Sequence, residues 1–483
     1  MRKVKKLNRR DFLRLSTGLA LGAVAAACAP AAPQIVEVEK EVPVEKEVIK
    51  EVPVEKVVEK VVKETVVVEK EVKPPTPATV RVLLSSWAIV EMPFDMMARE
   101  YNEKHPGLEL KLESTFEGWM PKVLGQIRAG KVEWTGAGIL TPFLDMVQWV
   151  ETGLIQPMED FIYASTEEGA DVLLDDMIAT VKEDASYKGH VYDIPYSFEN
   201  ITLQWRTDYF GEVGVTEAPK SWDDWYASCV ALKKYLEAED MEVFTTALSP
   251  PLWRSVGGLI CSASDHPYTD EGLIDWDSDE MREVLRFVRK LVLEGLAPPG
   301  GGETEDLVDM WKRGRLASFM SCSSRGVWAQ MIFGPEKVRT SPIPTIDGEK
   351  HSGSAFWGNG LAVLNQCPYP QEVTDYYIYA MGPANVRWQQ AAIKSGKTPV
   401  YNSAYDDILK ADPMFAMYRW MLDMREDVEI SIPVPANVYY LIQHTALQKW
   451  RVEVLKESST MTEDEMIKHI LEDSRAEIAK IEL

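Results

Sequence analysis

The sequence predicts an α/β fold in two lobes, preceded by an export signal and a low-complexity tether. Three observations carry this. From about Thr79 the chain runs on for roughly 400 residues of mixed composition, beyond the ~250–300 at which a single hydrophobic core stops growing. Over that length, short β-rich runs alternate with amphipathic helices, the pattern of sheets covered by helices. Ahead of it, Val36 to Lys73 is built almost wholly from Val, Glu, Lys and Pro, with no aromatic residue to seed a core.

Residues 1–28 read as a signal. "MRKVKKLNRRDFLRLSTGLALGAVAAAC" has a basic start, a short apolar run and small residues before Cys28, the layout of an export sequence. Arg9 and Arg10 followed by Phe12 and Leu13 match the twin-arginine type. "AAAC" matches a lipoprotein processing site, which makes Cys28 the expected lipidated residue; Ala25 departs from the usual Leu. Residues 29–78 are then the tether between lipid and folded body, kept soluble by alternating Glu and Lys. Pro43 and Pro53, in two copies of "EVPVEK", forbid a continuous helix there. Val54, Val58, Val61, Thr65, Val68 and Val72 fall at coiled-coil spacing, so self-association of the tether stays open beside the expectation of a monomer.

The body opens with a βαβ unit: "TVRVLLSSW" as strand, Pro93 to Lys104 as a helix burying Phe94, Met97, Ala98 and Tyr101, and "GLELKLE" as second strand. Ser221 with Asp224 three residues later starts a helix. Asp277 with Glu280 starts another, whose buried stripe is Met281, Val284, Leu285, Val288 and Leu291. "DLVDMWKRGRLASFMSC" is a helix passing through Gly314 into a strand.

The net charge of −24 makes nucleic acid an unsuitable partner. The His residues are too scattered for HExxH, no GxGxxG or GK[ST] loop occurs, and "DWDSDE" lacks the Gly and distal Glu of a calcium loop, so no cofactor or metal is expected. Carboxylate pairs for glycoside hydrolysis need only spatial proximity and stay open. Cys229, Cys261, Cys322 and Cys367 can pair in three ways, or stay as buried thiols.

Six motifs in order carry a family resemblance: "YNEKHPGLELKLE", "VETGLIQPMEDFI", "KGHVYDIPYSFENITLQWRTDYF", "EAPKSWDDW", "MWKRGRLASFMSCSSRGVW" and "SGSAFWGNGLAV". Together they resemble the extracellular solute-binding proteins of sugar-type ABC importers, the broad family that includes maltose-binding protein. Trp205 and Arg206, where the family prefers Tyr and Asn, and "VEWTGAGIL" depart from its pattern. The resemblance implies a periplasmic-binding-protein-like fold with crossing hinge strands, lobe 1 being about 79–199 and 360–400 and lobe 2 about 200–359 and 401–483. It implies a non-enzymatic receptor, held at the outer face of the cytoplasmic membrane, that binds a carbohydrate between the lobes and passes it to transmembrane permease subunits. The rival reading is an exported carbohydrate-active hydrolase or cofactor-bearing oxidoreductase.

A sugar presents an apolar face and a rim of hydroxyls, so its site needs aromatic walls and planar polar groups. By position in the resembling family, Trp328 and Trp357 are expected as walls, Glu199 and Asp145 as hydroxyl acceptors, and Asn359 as a polar contact beside glycines. Trp87, Trp119, Phe143, Trp253 with its neighbour Arg254, and Tyr439 and Tyr440 as an aromatic lid complete the set; core packing is the rival for each aromatic.

Overall fold

Ala78–Ser85 forms a strand, β1, whose Val80, Val82 and Leu84 lie on one apolar face while Leu83 buries in a separate cluster on the other. In the computed structural model the described residues are 78–115, 125–126, 129, 134–139, 145–249, 252–299, 304–351, 353, 355–435, 437, 439–454, 456 and 459–479. They belong to one compact unit, Lys73–Leu483. The signal, Cys28 and the tether lie outside the described residues.

After the short helix α1 (Ser86–Glu91), α2 (Phe94–Lys104) buries Phe94, Met97, Ala98 and Tyr101, the face its spacing predicts. β2 (Leu108–Thr115) then pairs parallel with β1, completing the βαβ unit. β3 (Gly136–Ile139) joins the other edge of β1. Helices α3 (Met146–Glu151) and α4 (Ala179–Asp184) and the small hairpin of β4 (Ser186–Tyr187) and β5 (His190–Val191) lead to β6 (Ile194–Arg206).

β6 defines the architecture. Its thirteen residues are all buried, and its two halves pair with different strands of a seven-stranded sheet. Ile194–Asn200 pairs antiparallel with β9 (Phe356–Val363), whereas residues 201–206 pair with β7 (Ser318–Cys322) and β8 (Val338–Pro342). The side chains follow: Ile194, Tyr196 and Phe198 enter one apolar cluster with β1, α2 and β2, while Ile201, Leu203 and Trp205 enter another. Two cores are thus built on either side of one strand, the two-lobed arrangement that the chain length predicts.

The second core is walled by α5 (Trp222–Ala238), capped by the reciprocal Ser221 and Asp224 bonds the sequence predicts, then by α6 (Leu252–Cys261) and α7 (Asp279–Leu293). The stripe of α7 is buried as expected, but its cap moves by one residue. Extended Ser278 accepts the Met281 N–H at 3.2 Å, because the Asp277 carboxylate is taken by Arg282 at 2.9 Å. α8 (Thr304–Lys312) leads into β7, and α9 (Ser324–Phe333) follows it.

Beyond β9, α10 (Val386–Lys394) ends at a turn. The chain is then tied to the first lobe by the Met177↔Tyr401 bridge and by the Ile178 N–H bond to Val400. Tyr401, Tyr405, Tyr418, Met421 and Val428 therefore bury in the first cluster, although the sequence grouped them with lobe 2. This run includes α11 (Trp420–Ile430), and α12 (Tyr440–Val454) returns to the second lobe. Cys229, Cys261, Cys322 and Cys367 are buried thiols.

A buried charge cluster at the crossing strands

Where β6 passes between the lobes, Glu199 lies opposite Trp357 of β9. The turn after α10 is locked alongside by two backbone bonds, Phe198 N–H to Thr398 O at 3.1 Å and Thr398 N–H to Phe198 O at 3.3 Å. That register puts Lys397 against Glu199, and its ammonium pairs with the Glu199 carboxylate and with Glu91 of α1 at 3.3 Å. Lys397 and Glu199 are both buried. Gly396 makes the approach possible: its φ is +78°, and a Cβ there would stand 3.0 Å from Ser324 Cα and Val327 Cβ of α9.

The second lobe faces this triad with arginines. Burial by itself would lift the Glu199 pKa, but Lys397, Arg325 and Arg254 outweigh it and hold the carboxyl at about 2. Burial likewise pushes the Lys397 ammonium down, and Glu199 and Glu91 reverse it, leaving its pKa above the ordinary value. The Arg254 guanidinium lies 5.4 Å from the Trp357 ring centroid. Arg325 lies 4.0 Å from that of Trp328, with the Lys312 ammonium 4.7 Å from the same ring. Next to Glu199, the buried amide of Asn200 has neither atom hydrogen-bonded, nor have the hydroxyls of Ser323, Ser324 and Thr398. Ser323 adjoins this point, since its N–H bonds to Asn200 O at 3.1 Å. The result is a knot of aromatic faces, cations and unpartnered polar groups at one point of the crossing.

A second group lies on the same strands. Gly358 and Gly360 leave one face of β9 bare, and the carboxylates of Asp184 and Asp193 fill it: a Cβ on Gly360 would meet Asp193 Oδ1 at 2.3 Å. Asp184 accepts the Gly358 N–H at 2.6 Å, whereas neither oxygen of Asp193 has a partner. Burial lifts Asp184 to about 7, and burial with the neighbouring Asp184 lifts Asp193 well above its ordinary range. Asn359, between the glycines, is buried and donates to Ser197 Oγ at 3.4 Å.

Residues 91–387 match the family model for bacterial extracellular solute-binding protein. The chain belongs to that family. Among solved structures of similar fold, the solute-binding protein's neighbours include maltose-bound T. maritima MalE3, at TM-score 0.68 and 15% identity, covering 83% of this chain and 99% of that one. Another is the GacH receptor of Streptomyces glaucescens, solved unliganded and with acarbose, at 0.66 and 13%, covering 83% and 98%. A third is an Agrobacterium vitis solute-binding protein with D-mannitol, at 0.64 and 16%, covering 84% and 99%.

Of the residues expected at the site, Glu199, Trp357 and Trp328 gather at this cluster. Asn359 lies two residues from Trp357 on β9, and Asp145 sits half buried at the start of α3. Tyr440 is packed in the second core, and Tyr439 is half buried with its N–H on Asn437 Oδ1 at 2.7 Å. Trp87 and Trp253 stand on α1 and α6 with side chains outside the described set; Trp119 and Phe143 lie outside the described residues. Sequence reasoning missed Lys397, Arg325 and Glu91. The i, i+3 spacing of Arg325 and Trp328 on one helix is a signal that could have found the second.

Proposed function

We propose that this solute-binding protein is a lipid-anchored, extracytoplasmic receptor that takes a sugar or oligosaccharide between its lobes and delivers it to ABC-transporter permease subunits. One observation carries the reading: aromatic rings and unpartnered buried polar groups meet where the lobes join, at Glu199, Asn200, Trp357 and Trp328. Rings suit the apolar face of a sugar, and the amide and hydroxyls suit its rim. The maltose, acarbose and D-mannitol in its structural neighbours support the same class. Asp145 and Asn359 serve as further polar contacts; Trp87, Trp119, Phe143, Trp253 and Tyr439 supply the remaining walls, Tyr440 being packed in the second core. Lobe 1 is taken as about 79–199 and 360–400 together with 401–428, which bury in the same cluster, with the chain crossing at β6 and β9.

Cys28 carries the lipid, and the tether leaves the body free to meet a transporter. Native mass spectrometry of the protein as isolated tests the ligand: an unaltered carbohydrate released on denaturation is expected. Recovery of hydrolysed fragments from an added oligosaccharide would instead favour a hydrolase.

A further inference from the structure

Two cations, Arg325 and Lys312, lie over the Trp328 ring. Elsewhere in the molecule, arginines with little exposure hold a carboxylate: Arg206 on Asp208 at 2.6 Å, Arg282 on Asp464 at 2.7 Å and Arg289 on Glu463 at 3.1 Å. Arg325 is also partly buried, yet among the described residues it forms no salt bridge, and its Nε is buried without a hydrogen-bond partner. Glu199, the carboxylate that faces it, is committed to Lys397. Lys312, on the same indole, has no carboxylate partner among the described residues either.

This arrangement occurs in a chain with 76 acidic residues against 52 basic ones, where a counter-charge is easily supplied by sequence. A guanidinium partly withdrawn from water, whose facing carboxylate is already paired with Lys397, is costly to leave unmatched, and it offers a planar fork suited to a carboxylate or phosphate. We propose that the interlobe site takes an anionic carbohydrate, a sugar bearing a carboxylate or a phosphate, with Arg325 receiving the anionic group and Lys312 reinforcing it. The ring then lies toward Trp357, while the unpartnered Asn200, Ser323 and Ser324 groups take hydroxyls. This inference rests on the carbohydrate reading above and narrows it.

The test is calorimetric titration of the purified full chain with matched sets of neutral sugar, its uronic acid and its 6-phosphate, at low and high salt. In at least one set an acidic member should bind tenfold or more tightly than its neutral counterpart and weaken as salt rises; whether the uronic acid or the phosphate leads identifies the anionic group. R325Q should shrink the acidic-to-neutral ratio at least tenfold, R325K should restore part of it, and K312Q, at an exposed position, gives a smaller loss if R325Q fails to fold. If neutral members bind as tightly as acidic ones, or R325Q leaves the ratio unchanged while folded, the anionic assignment is overturned and the carbohydrate reading stands. Binding of no member, neutral or acidic, overturns both.

Discussion

At the scale of single residues, the two carboxylate groups of the crossing strands behave oppositely because only one has a cation. The folded-state pKa of Glu199 is depressed, so its contribution to stability is complete above its ordinary value of 4.5 and is lost as the pH falls toward 2. E199Q leaves the buried Lys397 with Glu91 alone. It should cost about 2–4 kcal/mol at neutral pH, seen as a lower denaturation midpoint, and should remove the part of acid destabilisation below about pH 4.5. Asp184 has its pKa raised from 3.8 to about 7, so the stability it contributes is complete below 3.8 and lost as the pH rises through 7. An Asn there still accepts the Gly358 N–H without bringing a charge into the core. D184N should therefore raise stability by about 1–3 kcal/mol at pH 8 and have little effect at pH 4, as thermal melts at the two pH values would show; destabilisation at pH 8 would contradict this account.

At the scale of elements, the decisive piece is the turn after α10. The backbone of this turn reaches α9 of the other lobe through Gly396 while Thr398 pairs with Phe198 of β6. A side chain at Gly396 is penalised twice, by the left-handed φ of +78° and by contact with the backbone of Ser324. G396A should cost about 1–3 kcal/mol in chemical denaturation and weaken ligand binding by displacing Lys397 from Glu199, whereas G189A, also at positive φ but with open space around its Cβ, should leave binding unchanged. β6 itself was partly legible. The family resemblance implied a crossing strand here; the structure adds that its buried side chains change phase between Phe198 and Ile201, where the strand leaves one core for the other.

At the scale of the whole molecule, two cores share β6 and β9, so hinge bending can change their separation without unfolding either. Small-angle scattering with and without a sugar that binds should show a smaller radius of gyration when ligand is present, since a ligand touching both lobes favours the closed population. An unchanged radius at saturation would mean that the lobes do not close on it. Fractionation of C28A belongs to the same scale: the variant should leave the membrane fraction for the soluble exported fraction.

The sequence by itself determined the features that local pattern encodes. These are the βαβ unit, the Ser221 cap, the stripe of α7, the order of family motifs and the division into two cores that follows from length. It also pointed to Glu199, Trp328 and Trp357, because they sit inside recognisable motifs. Only the tertiary structure decided what surrounds them. Lys397 is 198 residues from Glu199, and Glu91 and Arg325 come from opposite lobes, so no spacing rule links them. The same holds for Tyr401 to Val428, which bury in the first core next to the backbone bonds that tie the chain to Met177 and Ile178. Periodicity specifies which face of an element is buried, but the partner it is buried against is fixed by the path of the chain through space, and charge at a site depends on that partner.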